Sequence, residues 1–172
     1  MRYVSLAAPS ALAACATLAF AAPIQEGKAA PAFMVKTLDG KSLQLTDYRG
    51  KVVLLDFGAV DCPPCRIEMP VLQQFHKQYA KQGLVVLSLL EMKPKPTDAR
   101  KMVKERGLTF PVAIDPEEKF GKLYGLESHP TAFVIDRAGR VVKVEVGYVK
   151  GDEQEIEAAF KPLLIPERGK QP

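Results

Sequence analysis

The chain has 172 residues, of which 26% are charged and 47% hydrophobic, and a formal net charge of +4. That length is one domain's worth of chain, and the balance is that of a globular protein, which excludes repeat, low-complexity and disordered classes. Lysines and arginines are spread along the chain rather than striped, so nothing marks a nucleic-acid partner.

Residues 1–21 read as a secretory signal peptide. Arg2 supplies a positive start, Val4 to Ala22 is nearly all small or apolar, and Ala19-Phe20-Ala21 fits a small-x-small cleavage site. Ser5, Pro9 and Ser10 interrupt the stretch, which argues against a retained membrane span. Leu12-Ala13-Ala14-Cys15 offers a competing reading, a lipoprotein box acylated at Cys15, but the residues after Cys15 stay apolar, unlike the polar linker expected past a lipid anchor. The expectation is an exported, periplasmic or otherwise extracytoplasmic protein, with membrane contact only if Cys15 is lipidated. Residues 22–30 read as a linker, 31–165 as the folded domain and 166–172 as a polar tail.

Within the domain, Pro31 to Val35 and Ser42 to Leu45 flank Asp39-Gly40, a β-hairpin signal. Lys51 to Phe57 is an apolar run that reads as a buried strand, and Cys65 to Gln82 as a helix with Leu72, Phe75 and Tyr79 on one face, ended by Gly83. Leu84 to Leu90 is a second buried strand. Thr97 is a candidate cap for a short helix that Gly107 stops, Phe110 to Ile114 is a short strand, and Glu117 to Tyr124 another short helix. Thr131 to Ile135 and Val141 to Val146 surround Arg137-Ala138-Gly139, a second hairpin, and Asp152 to Leu164 is a final helix. This order implies an α/β fold with a mixed sheet covered on both faces.

The chemistry-bearing motif is Cys62-Pro63-Pro64-Cys65, between a buried strand and a helix. Cysteines at i and i+3 at a helix start can oxidise together, and unpaired N–H groups there favour a thiolate at the first. Cys62 is expected to be exposed and to attack, Cys65 to resolve. With Cys62 as N-cap and no N–H on Pro64, the Cys65 amide is the donor left for its sulfur. A structural disulfide is the bland alternative; a zinc site lacks a second cysteine pair. Asp56 interrupts the apolar run six positions before Cys62, where burial would raise its pKa and fit it to take the Cys65 proton. Glu68 shares a helical face with Cys65. Asp61, beside Cys62, opposes the thiolate, and with Asp56 and Glu68 the acids outnumber Arg66 and a His129 cation. The pair is therefore expected to be a reductant. Pro70 should kink the helix, and His76 reads as solvated surface.

From about Ala30 to Leu164 the chain resembles the thioredoxin fold, specifically the exported TlpA/ResA-like thiol–disulfide oxidoreductases. The resemblance rests on Pro31-Ala32-Phe33, Gly50 to Phe57, Cys62 to Pro70, Phe110-Pro111-Val112 with Asp115, Tyr124-Gly125, Pro130-Thr131, and Asp136 with Gly139. It implies a thioredoxin-like fold with an N-terminal hairpin and a mid-domain helix–strand insert over Thr97 to Ile114. It also implies an acid at Asp56, a glutamate at Glu68 near the redox pair, and a cis-proline at Pro130 that brings His129 to face the sulfurs. The function it implies is a disulfide reductase acting on protein cysteine pairs, of the cytochrome c maturation type. Electrons would come from a membrane donor of the DsbD or CcdA kind, and no cofactor or metal is required. The chain departs from the family at Phe57-Gly58-Ala59-Val60-Asp61-Cys62, where tryptophans usually stand; it has none. A copper-handling protein using Cys62, Cys65 and His129 is the alternative, since thiolates suit copper(I). A thiol peroxidase lacks its Thr or Ser, because Ala59 stands there.

Overall fold

In the computed structural model, which describes residues 23–164, the chemistry sits at the end of a fully buried strand. The expected signal peptide with Cys15, and the polar tail, lie outside the described residues. The elements are β1 (Met34–Lys36), β2 (Ser42–Gln44), β3 (Val52–Ala59), α1 (Pro63–Tyr79), β4 (Leu84–Glu91) and α2 (Pro96–Glu105). They continue with β5 (Val112–Ile114), α3 (Lys119–Tyr124), β6 (Thr131–Ile135), β7 (Val141–Val146) and α4 (Glu153–Leu164).

The main sheet has the order β5-β4-β3-β6-β7, with β4 parallel to β3, β5 parallel to β4, and β6 antiparallel to β3 and β7. β3 is central because every one of its residues is buried, as an unbroken apolar run requires when both faces are covered. Alternation then sorts its side chains. Val52 and Leu54 join α1, α2 and α4 in one core; Val53, Leu55 and Phe57 join the β1–β2 hairpin and α3 in the other. This is a thioredoxin-like α/β fold with the expected N-terminal hairpin. The mid-domain insert is α2 and β5, and β5 extends the sheet beyond β4.

Several boundaries depart from expectation for local reasons. Thr97 is not a cap: α2 starts at Pro96, whose fixed φ suits the first turn, with Lys95 ahead of it and no side-chain cap. α3 starts at Lys119 because the Asp115 carboxylate accepts the Lys119 and Phe120 N–H groups from outside the helix. The helix from Cys62 ends at Tyr79 in a short 3₁₀ turn, where Gly83 takes φ +97°. α1 runs unbroken through Pro70. His76 is half-buried rather than solvated, edge-on to Phe110 at 6.0 Å, and burial lowers its pKa.

The segment expected as a linker is fastened to the domain instead. Ile24 N–H donates to Tyr124 O, Gly27 N–H to Val141 O and Ala30 N–H to Gly139 O, and Ala29 bridges Arg140. The contacts to Gly139 and Arg140 fall on the turn that joins β6 to β7. It lies at the end of the sheet where β3 begins.

Candidate active site

The site is built where β3 hands over to α1. Cys62 is the N-cap of α1, with extended backbone, and its sulfur accepts the Cys65 N–H at 3.2 Å. Pro63 and Pro64 occupy the first helical positions without an N–H, as the sequence required. The two sulfurs are bonded, S–S 2.03 Å with Cα atoms 5.3 Å apart. Cys65 is 1% exposed, and Cys62 only 9%, less than a helix start predicts, because both cluster with Ala59. Cys62 thus offers a partner only a small part of its surface.

Asp56 lies within β3 opposite Ser88 of β4, whose hydroxyl donates to Asp56 Oδ2 at 2.6 Å; Oδ1 has no partner. Burial pushes the carboxyl up to about 7, against the opposing Ser88 bond and the charge of His129. Between acid and sulfur lies Gly58. A Cβ placed there would stand 3.6 Å from Asp56 Oδ2 and 3.7 Å from Cys65 Sγ, with nothing nearer. A methyl at that position would therefore touch both the acid and the resolving cysteine.

Glu68, one turn beyond Cys65, is 1% exposed. Burial pushes it up to about 9, with further contributions from Asp56, Glu145 at the end of β7, and Asp152 ahead of α4. Its setting is thus a core acid and not a first-turn surface residue. Asp61 is the opposite case. Its side chain is 94% exposed and lies 3.5 Å from Arg66 Nη2, so water and a cation screen it from Cys62. The expected surplus of negative charge is corrected accordingly: burial pushes Glu68 and Asp56 toward their neutral forms, and Asp61 is solvated.

The His129–Pro130 peptide is cis, and Pro130 immediately precedes β6. His129 Nε2 lies 2.7 Å from Glu91 Oε2, a contact that no local sequence pattern announced. Among the described residues no three His, Cys, Asp or Glu side chains group to hold a metal ion, and His129 Nε2, a ligand of the copper alternative, is engaged by Glu91. No helix among the described residues is long and apolar enough to cross a membrane.

A cysteine pair joined at the head of α1, with a buried acid behind it on the central strand and a cis-proline loop alongside, defines a thioredoxin-fold thiol–disulfide oxidoreductase. The Redoxin family model matches residues 25–160, and the chain belongs to that family. It is 38% identical to the thiol-disulfide oxidoreductase ResA of Geobacillus thermodenitrificans over 137 residues, 79% of this chain and 78% of that protein. The thioredoxin-like protein YneN of Bacillus subtilis is 37% identical over 133 residues, 77% of this chain and 78% of its own length. Among solved structures, a putative thiol:disulfide interchange protein DsbE from Chlorobium tepidum superposes with a TM-score of 0.78 at 34% identity. That match covers 83% of this chain and 99% of the other. The chain is an enzyme, a thiol–disulfide oxidoreductase of the ResA/DsbE type.

Proposed function

We propose that the protein is an extracytoplasmic disulfide reductase acting on cysteine pairs of other proteins, in the manner of cytochrome c maturation. The observation that carries this reading is the Cys62–Cys65 bond, with Asp56 and Cys65 both within contact range of one point beside Gly58. In the reduced protein the Cys62 thiolate attacks a substrate disulfide. That S–S bond breaks, a mixed disulfide forms, and one substrate sulfur leaves as thiolate. The Asp56 carboxylate, through a water beside Gly58, takes the Cys65 proton. The Cys65 thiolate then attacks Cys62 Sγ, restoring the Cys62–Cys65 bond and releasing the second substrate sulfur. The electron pair has passed to the substrate, and a membrane thiol donor of the DsbD or CcdA kind returns it. No cofactor takes part.

The direction of flow follows from the burial of Cys62, which opposes its thiolate, while the backbone supplies a single donor, the Cys65 amide. A destabilised thiolate destabilises the reduced form and lowers the potential. Docking falls to aliphatic side chains in place of the absent tryptophans. Met92 follows β4, while Val146 and Val149 end and follow β7, strands that run toward the same end as β3, and all three are exposed. Changing Cys65 to Ser is expected to trap a substrate on Cys62 as a mixed disulfide. Recovery of no adduct, or a couple more oxidising than the glutathione couple, would overturn the assignment.

A further inference from the structure

The end of β4 holds a buried acid that the steps above leave unused. Glu91 closes the apolar run of that strand, its Oε2 meets His129, and its Oε1 is buried without a partner. Strand register explains the meeting. On one side of β3, Ala59 pairs with Glu91. On the other, Phe57 pairs with Thr131, so two further steps bring His129 level with Ala59. The two side chains therefore join across Ala59, which is small enough to lie beneath them and clusters with Cys62 and Cys65. Gly121 of α3 makes the room on the far side, since a Cβ there would fall 2.0 Å from Glu91 Oε1.

We propose that Glu91 fixes His129 as a cation above Ala59, where it favours the Cys62 thiolate, making both of them positioning residues for the attacking sulfur. This rests on the redox reading of Cys62 and deepens it. A buried carboxylate with one free oxygen demands a charged partner. The bond to Glu91 holds the His129 proton against the opposing effect of burial, and the charges of Glu91, Asp56 and Glu118 act in the same direction. Those are the ionisable groups facing the ring, from β4, β3 and the turn ahead of α3. Asp115 nearby is engaged by backbone N–H groups of α3, and Lys93 and Lys95 line the cleft beside Glu91 and Asp61. Because coupling between two sites is reciprocal, a cation that favours the thiolate must itself hold its proton more tightly once the thiolate forms.

Wild-type protein supplies the first test. The ring signals of His129, distinguished from His76, the other of the chain's 2 histidines, are followed against pH in the oxidised and the reduced protein. In the reduced protein the His129 signals are expected to show a step at the pH where Cys62 ionises that the oxidised protein lacks, and a His129 cation present above that pH to be held about one pH unit, roughly tenfold, more tightly. Thiolate absorbance should show His129→Gln raising the Cys62 midpoint by a similar amount. Glu91→Gln should raise it too, but add nothing in the His129→Gln background. Absence of that step from the His129 signals, or a Glu91→Gln effect that survives without His129, overturns the proposal. Titration of the wild type against glutathione keeps the two readings apart. Absence of a reversible couple removes the redox function itself, whereas an intact couple with unmoved midpoints removes only the role of Glu91 and His129.

Discussion

Replacing Glu68 by Gln leaves the side-chain shape and removes the ionisation, which makes stability against pH the direct measure of what this buried acid costs. The folded protein holds the Glu68 proton far more tightly than the unfolded chain, about 9 against 4.5. As pH rises through 4.5 the unfolded chain releases its proton first and is favoured, so wild-type stability falls until the folded group also ionises near 9. Between its ordinary value and neutrality lie about 2.5 pH units; at about 1.4 kcal/mol each, the cost is between about 3 and 4 kcal/mol at neutrality. Urea unfolding of the oxidised protein near pH 4.5 and at neutrality supplies the comparison. Any bond the amide makes or loses affects both measurements alike, and only the ionisation changes between them. The Glu68→Gln protein should gain about 3 kcal/mol on the wild type from the acidic to the neutral measurement. A difference that stays level with pH would refute the burial argument.

Asp56→Asn should slow resolution of the mixed disulfide by about a hundredfold, the usual reach of a positioned base, and abolish the rise of rate through pH near 7 that the carboxyl imposes. Stopped-flow reduction of a disulfide substrate measures both effects, and an unchanged pH profile counts against Asp56. Gly58→Ala meets only ordinary contacts, so it should fold with a melting temperature at or above wild type, yet resolve slowly because the methyl fills the gap between acid and sulfur. Full activity in that variant would mean that the proton takes another path. Asp61→Asn should move the Cys62 midpoint by no more than roughly a few tenths of a pH unit, since an exposed, paired carboxylate is well screened. A movement of a whole unit would restore Asp61 as a determinant.

The parts of this molecule that could be read from the chain are those set by neighbours in sequence. The run ending at Phe57 had to be buried, so an acid inside it had to be buried too, and Asp56 was legible. The proline at position 64 removes an amide, so the Cys65 N–H was identifiable as the donor to Cys62. Glu68 gave no such signal. Its surroundings come from the ends of β7 and α4, and a glutamate in the early turns of a helix looks the same whether a distant segment covers it or water does. Glu91 was missed for a similar reason. An acid closing an apolar run hints at something, but its union with His129 depends on three strands being in register, which periodicity within any one of them does not encode.

The bonds of Gly27 to Val141 and of Ala30 to Gly139 hold residues 27–30 against the β6–β7 turn, at one pole of the sheet. β3 spans 8 residues from that pole to the cysteines, about 26 Å at the rise of an extended strand. The disulfide therefore lies at the opposite end of the sheet from the β6–β7 turn, and a client that reaches it does not cross residues 27–30.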